Sequence, residues 1–276
     1  MVAGSSAISR VLDRFADKTV ACNRYALSKL GLDKGRCSLK VNEYALLCAP
    51  YLLGFNRSVF LASLSHRELN LFLPLKNLIA GLSMEFALPG YRVPFKLFIR
   101  SSLTEVGQMR GRDDVGLFVV DYKSTPEDFV SILGTYLESQ ERLNAQYEDY
   151  GRTPIQLNAD SAKRMGYNQY AVVNDEIGDR RIQIRSISSK TIEHLESSSS
   201  FEHTPGATVT YQIFFIKYRV TVQGRIELAS RFPNGIVKTK SKLDFNPELV
   251  EILDDYWFHH GNTGKPSLPT RTLKGA

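Results

Sequence analysis

Between Gly206 and Trp257 the apolar positions alternate and then switch to helical spacing. Tyr211, Ile213 and Phe215 fall on one face of an extended segment, and after a break at Ile216-Lys217 so do Tyr218, Val220 and Val222. Two alternating runs separated by a short break predict a hairpin. Ile236 to Phe245 alternates more weakly, and Asn246-Pro247-Glu248 then precedes Leu249, Ile252, Leu253 and Tyr256. Asn can accept from a first-turn amide, Pro at the first position loses no helical bond, and Glu faces the positive end of the helix dipole. The expected plan is a strand ladder followed by a capped helix.

The same plan is expected once before. Gly81 to Leu137 carries Tyr91-Arg92-Val93 against Tyr218-Arg219-Val220, then Val115-Gly116-Leu117-Phe118 against Asn234-Gly235-Ile236-Val237. Thr125-Pro126-Glu127 opens a helix with Phe129, Ile132, Leu133 and Tyr136. Upstream, Ala62-Ser63-Leu64-Ser65 matches Arg185-Ser186-Ile187-Ser188. Four pieces in one order predict an internal duplication.

The remaining pattern fills in around these copies. Ile8, Val11, Leu12 and Phe15 make one stripe of an amphipathic helix over Ser5 to Asp17, suited to covering a barrel edge. Thr19 to Gly35 is mixed, with a helix expected to end near Gly31. Ser38 to Leu47 and Ser58 to Ala62 read as extended, with a turn at Gly54 to Arg57 between them. From Pro126 no stop signal occurs until Gly151, and Leu143, Tyr147 and Tyr150 prolong the helical stripe. These three must meet either the second barrel or another subunit's helix; the short linker Gly151 to Pro154 favours the second barrel, and dimerisation is the alternative. Pro154 to Leu157, Tyr167 to Val173 and Arg181 to Ile187 are further expected strands.

The expected fold is mainly β with α. Two tandem small antiparallel β-barrels are each closed by a C-terminal helix. The expected domains are an N-terminal helical segment (1–37), a first barrel with a long helix (38–150), a second barrel with its helix (151–260) and a disordered tail (261–276).

Composition narrows the function classes. At 43% apolar and 23% charged residues, the 276-residue chain reads as globular, with no run long enough to span a bilayer and no signal-peptide pattern at its start. A cytoplasmic location is the expectation. Half of the net charge of +6 comes from Lys265, Arg271 and Lys274 in the tail. The basic balance therefore reads as solvated surface rather than a nucleic-acid footprint, because aromatic and basic residues do not interleave along the chain. Cys22, Cys37 and Cys48 lack ligand spacing and read as free thiols, and Asp113-Asp114 and Asp254-Asp255 as surface carboxylates, so no metal site is expected. His194, His203, His259 and His260 are expected in a loop or the tail, and His66 beside Ser65 lacks a third group. No catalytic residues are expected.

The order of these features resembles the PilZ domain of bacterial cyclic di-GMP signalling. The resemblance covers roughly 39–137 and 167–258: a strand ending in a Ser-x-Ser turn, a polar loop, a Gly-led hairpin, a further strand and a closing helix. The family clasps its dinucleotide with an Arg-x-x-x-Arg segment and an Asp/Asn-x-Ser-x-x-Gly turn. Here the turn becomes Ser63-Leu64-Ser65-His66-Arg67-Glu68 and Ser186-Ile187-Ser188-Ser189-Lys190-Thr191, without the leading Asp/Asn or the closing Gly. The arginine segment becomes Arg36-Cys-Ser-Leu-Lys40 in one copy and leaves only Lys163 and Arg164 in the other.

The resemblance implies a non-enzymatic signalling adaptor that requires no cofactor and acts on a protein partner, with motility or surface machinery as its expected field. If cyclic di-GMP binds, the expected ligand residues are Arg36, Lys40, Ser63 and Ser65, with Lys163, Arg164, Ser186 and Ser188 as counterparts. Arg10-Val-Leu-Asp-Arg14 and Arg181-Ile-Gln-Ile-Arg185 match the arginine pattern literally, one on the N-terminal helix and one inside a strand. A pair of small nucleic-acid-binding barrels is the remaining reading.

Overall fold

A computed structural model describes residues 3–90, 92–176, 178–197 and 204–260. Tyr91, His203 and the tail from residue 261, all used in the sequence reading, lie outside the described residues, as does most of the serine run 197–200. The chain divides into two compact units, Met1–Ser139 and Gln140–Ala276. No helix among the described residues is long and apolar enough to cross a membrane.

In the first unit, α1 (Ala3–Phe15), β1 (Thr19–Ala21) and α2 (Arg24–Leu30) lead to a short 3₁₀ turn, Lys34–Arg36. The strands are β2 (Cys37–Val41), β3 (Tyr44–Gly54), β4 (Arg57–Ser63), β5 (Leu78–Phe86), β6 (Phe95–Gln108) and β7 (Val115–Tyr122), with α3 (His66–Phe72) between β4 and β5. Pairing runs β3-β2-β5-β6-β7-β4 and closes through β4 onto β3, with β1 added to β3. Closure pairs every strand of the six-stranded ring on both sides.

Local chemistry explains the starts and stops. Asn23 accepts from the Ala26 amide, and Gly31 ends α2 at φ 67, where a β-carbon would be strained. The stretch expected to extend from Ser38 to Leu47 is broken by a tight turn at Asn42-Glu43, with Asn42 at φ 52. The turn at Gly54 to Arg57 joins β3 to β4 as expected. Leu39, Leu53, Phe60, Leu82, Ile99 and Phe118 fill the interior with every other residue of their strands.

The helix α4 (Glu127–Tyr150) begins where Pro126 predicts, but Thr125 donates its hydroxyl to the Phe55 carbonyl at 2.5 Å. Phe129, Val130 and Leu133 bury its first half in the first core, and Phe15, Val11 and Leu12 of α1 pack on that core.

The second unit repeats the plan. After β8 (Ile155–Gln156) and α5 (Ala159–Met165) come β9 (Tyr167–Asp175), β10 (Gly178–Ile187), β11 (Thr191–Ser197), β12 (Thr208–Phe215), β13 (Arg219–Arg231) and β14 (Ile236–Leu243), and then α6 (Pro247–His260). The ring is β11-β14-β13-β12-β9-β10, closed by β10 on β11, with β8 added to β10. Strand for strand, β9 to β14 follow the pairing of β2 to β7. Four register shifts fall at matching places, β3 with β4 and β10 with β11, then β6 with β7 and β13 with β14, while a fifth, β12 with β9, is particular to the second ring. Such bulges bend a strand round a barrel corner, so the two rings share two such corners.

The hairpin of β12 and β13 and the Asn246 cap follow the sequence reading. Asn246 accepts from the Leu249 amide at 2.9 Å and donates to the Thr221 carbonyl, while Leu249, Ile252 and Leu253 face the core. Each such side chain contributes roughly 1.5–3 kcal/mol when fully buried. Tyr218 departs from its expected face: it lies at the turn and is half exposed.

The topology corrects one match between copies. Ser186 and Ser188 sit at the end of β10, whose counterpart is β3, whereas Ser63 ends β4, the counterpart of β11. Ser-x-Ser at a strand exit does not specify which strand is leaving the sheet.

Candidate functional site

The first unit assigns its expected ligand residues to separate places. Arg36 closes the 3₁₀ turn, with Nη1 3.2 Å from Glu85 Oε1 on β5 and Nε 3.6 Å from Asp33 Oδ2. Lys40 points outward from β2 opposite Gly81 of β5. Ser63 lies opposite Val115, and β3 separates its strand from β2. Ser65 is the N-cap of α3: its hydroxyl accepts from the Glu68 amide, and the Glu68 carboxylate accepts from the Ser65 amide at 2.8 Å. The Ser65 hydroxyl, which donates to Glu68 Oε2 at 2.7 Å, and then the Ser65 amide hold the Glu68 carboxyl below its ordinary range.

The second Ser-x-Ser turn serves as a clasp. Ser188 Oγ accepts from the Lys190 and Thr191 amides at 3.2 and 2.9 Å. Ser189 Oγ donates to the Tyr147 carbonyl at 2.5 Å, and Lys190 pairs with Glu148 above the Tyr147 ring. Gly151 gives Lys190 room, since a β-carbon there would stand 2.6 Å from the lysine stem.

The stripe that needs a partner finds one inside this unit. Leu143 is buried, the Tyr147 hydroxyl donates to the Leu243 carbonyl at 3.1 Å, and the Tyr150 hydroxyl donates to Asp254 at 2.5 Å. Burial and Asp254 push the Tyr150 phenol up. Lys163 and Arg164 occupy the last turn of α5, where Arg164 pairs with Asp160 at 2.7 Å.

The histidine assignment needs correction. His194 is buried inside the second barrel on β11, while His259 and His260 end α6 and His66 begins α3. His194 belongs to a polar interior: its Nδ1 lies 3.4 Å from the Tyr211 hydroxyl, which is 2.7 Å from Ser241 Oγ. Its Nε2 lies 3.4 Å from Glu196, and Glu196 binds Arg180 Nε at 2.9 Å. Arg180 also grips Asp175, with Nη2 2.6 Å from Oδ2. Paired carboxylates hold the guanidinium charged, and burial pushes the Tyr211 phenol up. One guanidinium thus serves two carboxylates, Asp175 and Glu196.

The outer surface beside this interior holds a groove absent from the expected site list. One part, of about 140 Å³, lies between α5 and the strands β9 and β10, lined by Asn158, Tyr167, Gln169, Gln183 and Arg185. A wider part, of about 420 Å³, shares Gln169 and Gln183 and adds Arg181, Leu195 and Ser197. Gln169 holds φ 53, a strained value for a residue with a side chain. Arg181, Gln183 and Arg185 line the groove together because residues two apart on a strand share a face. This is the literal Arg-x-x-x-Arg stretch. Two guanidinium groups flanking carboxamides suit an anion that also offers hydrogen-bonding edges.

No family model matches the chain, and no curated protein matches it. Among solved structures, the PlzA protein of Borreliella burgdorferi in complex with cyclic di-GMP is similar at 13% identity, with a TM-score of 0.45 and coverage of 92% of this chain and 99% of that one. YcgR of Escherichia coli in complex with cyclic di-GMP is similar at 8% identity, with a TM-score of 0.30 and coverage of 92% and 89%. The inhibitor of motility MotI/DgrA of Bacillus subtilis is similar at 10% identity, with a TM-score of 0.29 and coverage of 82% and 96%.

Proposed function

We propose that the chain is a non-enzymatic, cytoplasmic signalling adaptor built on two PilZ-like barrels, acting through contact with a protein partner in motility or surface regulation. The observation that carries this reading is the use made of the residues at which the resemblance leads one to expect a ligand clasp. Arg36 is paired with Glu85, Ser65 caps α3, and the Ser188 turn binds its own backbone while Ser189 holds the end of α4. Groups committed to structure in this way favour the barrels as scaffolds.

A second reading is a cyclic di-GMP receptor with a relocated site, and the Arg181-Gln183-Arg185 groove is what favours it. Calorimetric titration of the full chain with cyclic di-GMP separates the two. The adaptor reading expects no heat of binding at high protein concentration. Tight binding would overturn it. Loss of that binding in Arg36→Ala/Lys40→Ala would return the site to the first barrel, and loss in Arg181→Ala/Arg185→Ala would assign it to the groove.

A further inference from the structure

Aromatic and basic residues do not interleave along this chain, but they do across its strands. In the first barrel, Lys40, Gly81 and Arg100 are consecutive register partners on β2, β5 and β6, and Lys40 and Arg100 are exposed on the outer face. Gly81 has no side chain, and the far end of the Phe98 ring takes that space: a β-carbon on Gly81 would stand 2.8 Å from Phe98 Cζ. The ring lies between two cations and is 61% exposed. The neighbouring carboxylate on β5, Glu85, is neutralised by Arg36.

The matching face of the second barrel has the same chemistry from different residues. Tyr170 on β9 and Phe214 on β12 place their rings 4.7 Å apart at an interplanar angle of 35°. The Arg181 guanidinium stands 4.8 Å from the Tyr170 ring centre on one side, and Arg219 is the register partner of Phe214 on the other.

We infer that these two outer faces are stacking platforms for single-stranded nucleic acid, each holding an unpaired base on its aromatic ring and the flanking phosphates on its cations. An open sheet face leaves most of a lone small molecule in water, so a free nucleotide has little to hold it there. A polymer spreads its binding over many such weak contacts, and base stacking on an aromatic face tolerates any sequence. Duplex bases are already stacked and give these rings nothing to cover.

The test is fluorescence anisotropy of the full chain with labelled oligothymidylate and oligouridylate, each against a duplex of equal length and over a range of salt. Single strands should bind in preference to duplex, with affinity falling as salt rises. Phe98→Ala and Phe214→Ala should each weaken binding roughly five- to a hundred-fold, with circular dichroism unchanged. Phe98→Leu keeps apolar bulk without the aromatic face and should weaken binding as well. Lys40→Gln and Arg219→Gln should each flatten the salt dependence. Absence of binding at low salt, equal affinity for duplex, or binding indifferent to the Phe98→Ala/Phe214→Ala double variant would overturn the inference.

Discussion

The Ser189 hydroxyl donates to the Tyr147 carbonyl at 2.5 Å, tying the turn between β10 and β11 to the last turns of α4. A helix C-terminus leaves carbonyls without intrahelical partners, and side-chain donors can satisfy them. In this unit the Tyr147 carbonyl already accepts from the Gly151 amide at 3.1 Å, and a turn with the spacing of a ligand clasp adds a second donor.

Ser189→Ala should therefore lower stability by about 0.5–1.5 kcal/mol, because it removes one hydrogen bond at a site where Ser189 is 1% exposed while the Tyr147 carbonyl keeps the Gly151 amide. Denaturant unfolding measures the loss. No change in midpoint would mean that water replaces the hydroxyl and the turn does not hold the helix.

The interior of the second barrel predicts a larger effect. Arg180 serves both Asp175 and Glu196, so Arg180→Ala should cost about 3–5 kcal/mol by leaving two carboxylates uncompensated. Replacing Arg180 together with Glu196 by apolar residues should cost less than the single change, since a buried pair is often worth little against well-packed hydrocarbon. Denaturant unfolding of the single and double variants decides it; a double variant weaker than Arg180→Ala would contradict the argument.

These particulars show where the fold is legible in the sequence. The hairpin of β12 and β13 is readable because the buried positions Val209, Tyr211, Ile213, Val220 and Val222 alternate along single strands. β11 is not, because two of its inward positions are His194 and Glu196, and polar residues facing a barrel interior erase the apolar alternation. The groove with Arg181, Gln183 and Arg185 follows from strand geometry once β10 is assigned, but Gln169 and Asn158 join it only through pairing and the path of α5. The mismatch between Ser63 and Ser186 has the same origin: register between strands is not written in the local letters.

Gly134 sets how closely α1 and α4 approach. A β-carbon there would lie 2.5 Å from Val11 Cγ1, and Val is stiff at its branched carbon, so it cannot swing clear without moving the helix. Gly134→Ala should destabilise by about 1–3 kcal/mol through overpacking, less the roughly 1 kcal/mol that Ala gains over Gly within a helix. Adding Val11→Ala should recover part of the loss, and a double-mutant cycle followed by thermal unfolding reads that coupling. Strict additivity would show that the two residues do not share the contact.

The thiols predict how stability changes in alkali. Burial pushes Cys37 and Cys48 up to about 12 from an ordinary 9.0, with the Asp33 charge adding to the shift at Cys37 and the Cys37 thiol adding to it at Cys48. A group whose folded value is raised keeps its proton in the folded state while the unfolded chain loses it, so its contribution is complete below pH 9.0 and is lost as the pH rises toward about 12. Unfolding midpoints should hold steady below that window and fall within it, and Cys37→Ala should make the fall shallower even though it lowers the starting value by leaving a gap in the core. Cys37 is 0% exposed and Cys48 5%, so a thiol reagent at neutral pH should modify them only as fast as the barrel opens. Rapid labelling of both thiols in the folded protein would show that the strands β2 and β3 separate far more readily than their burial implies.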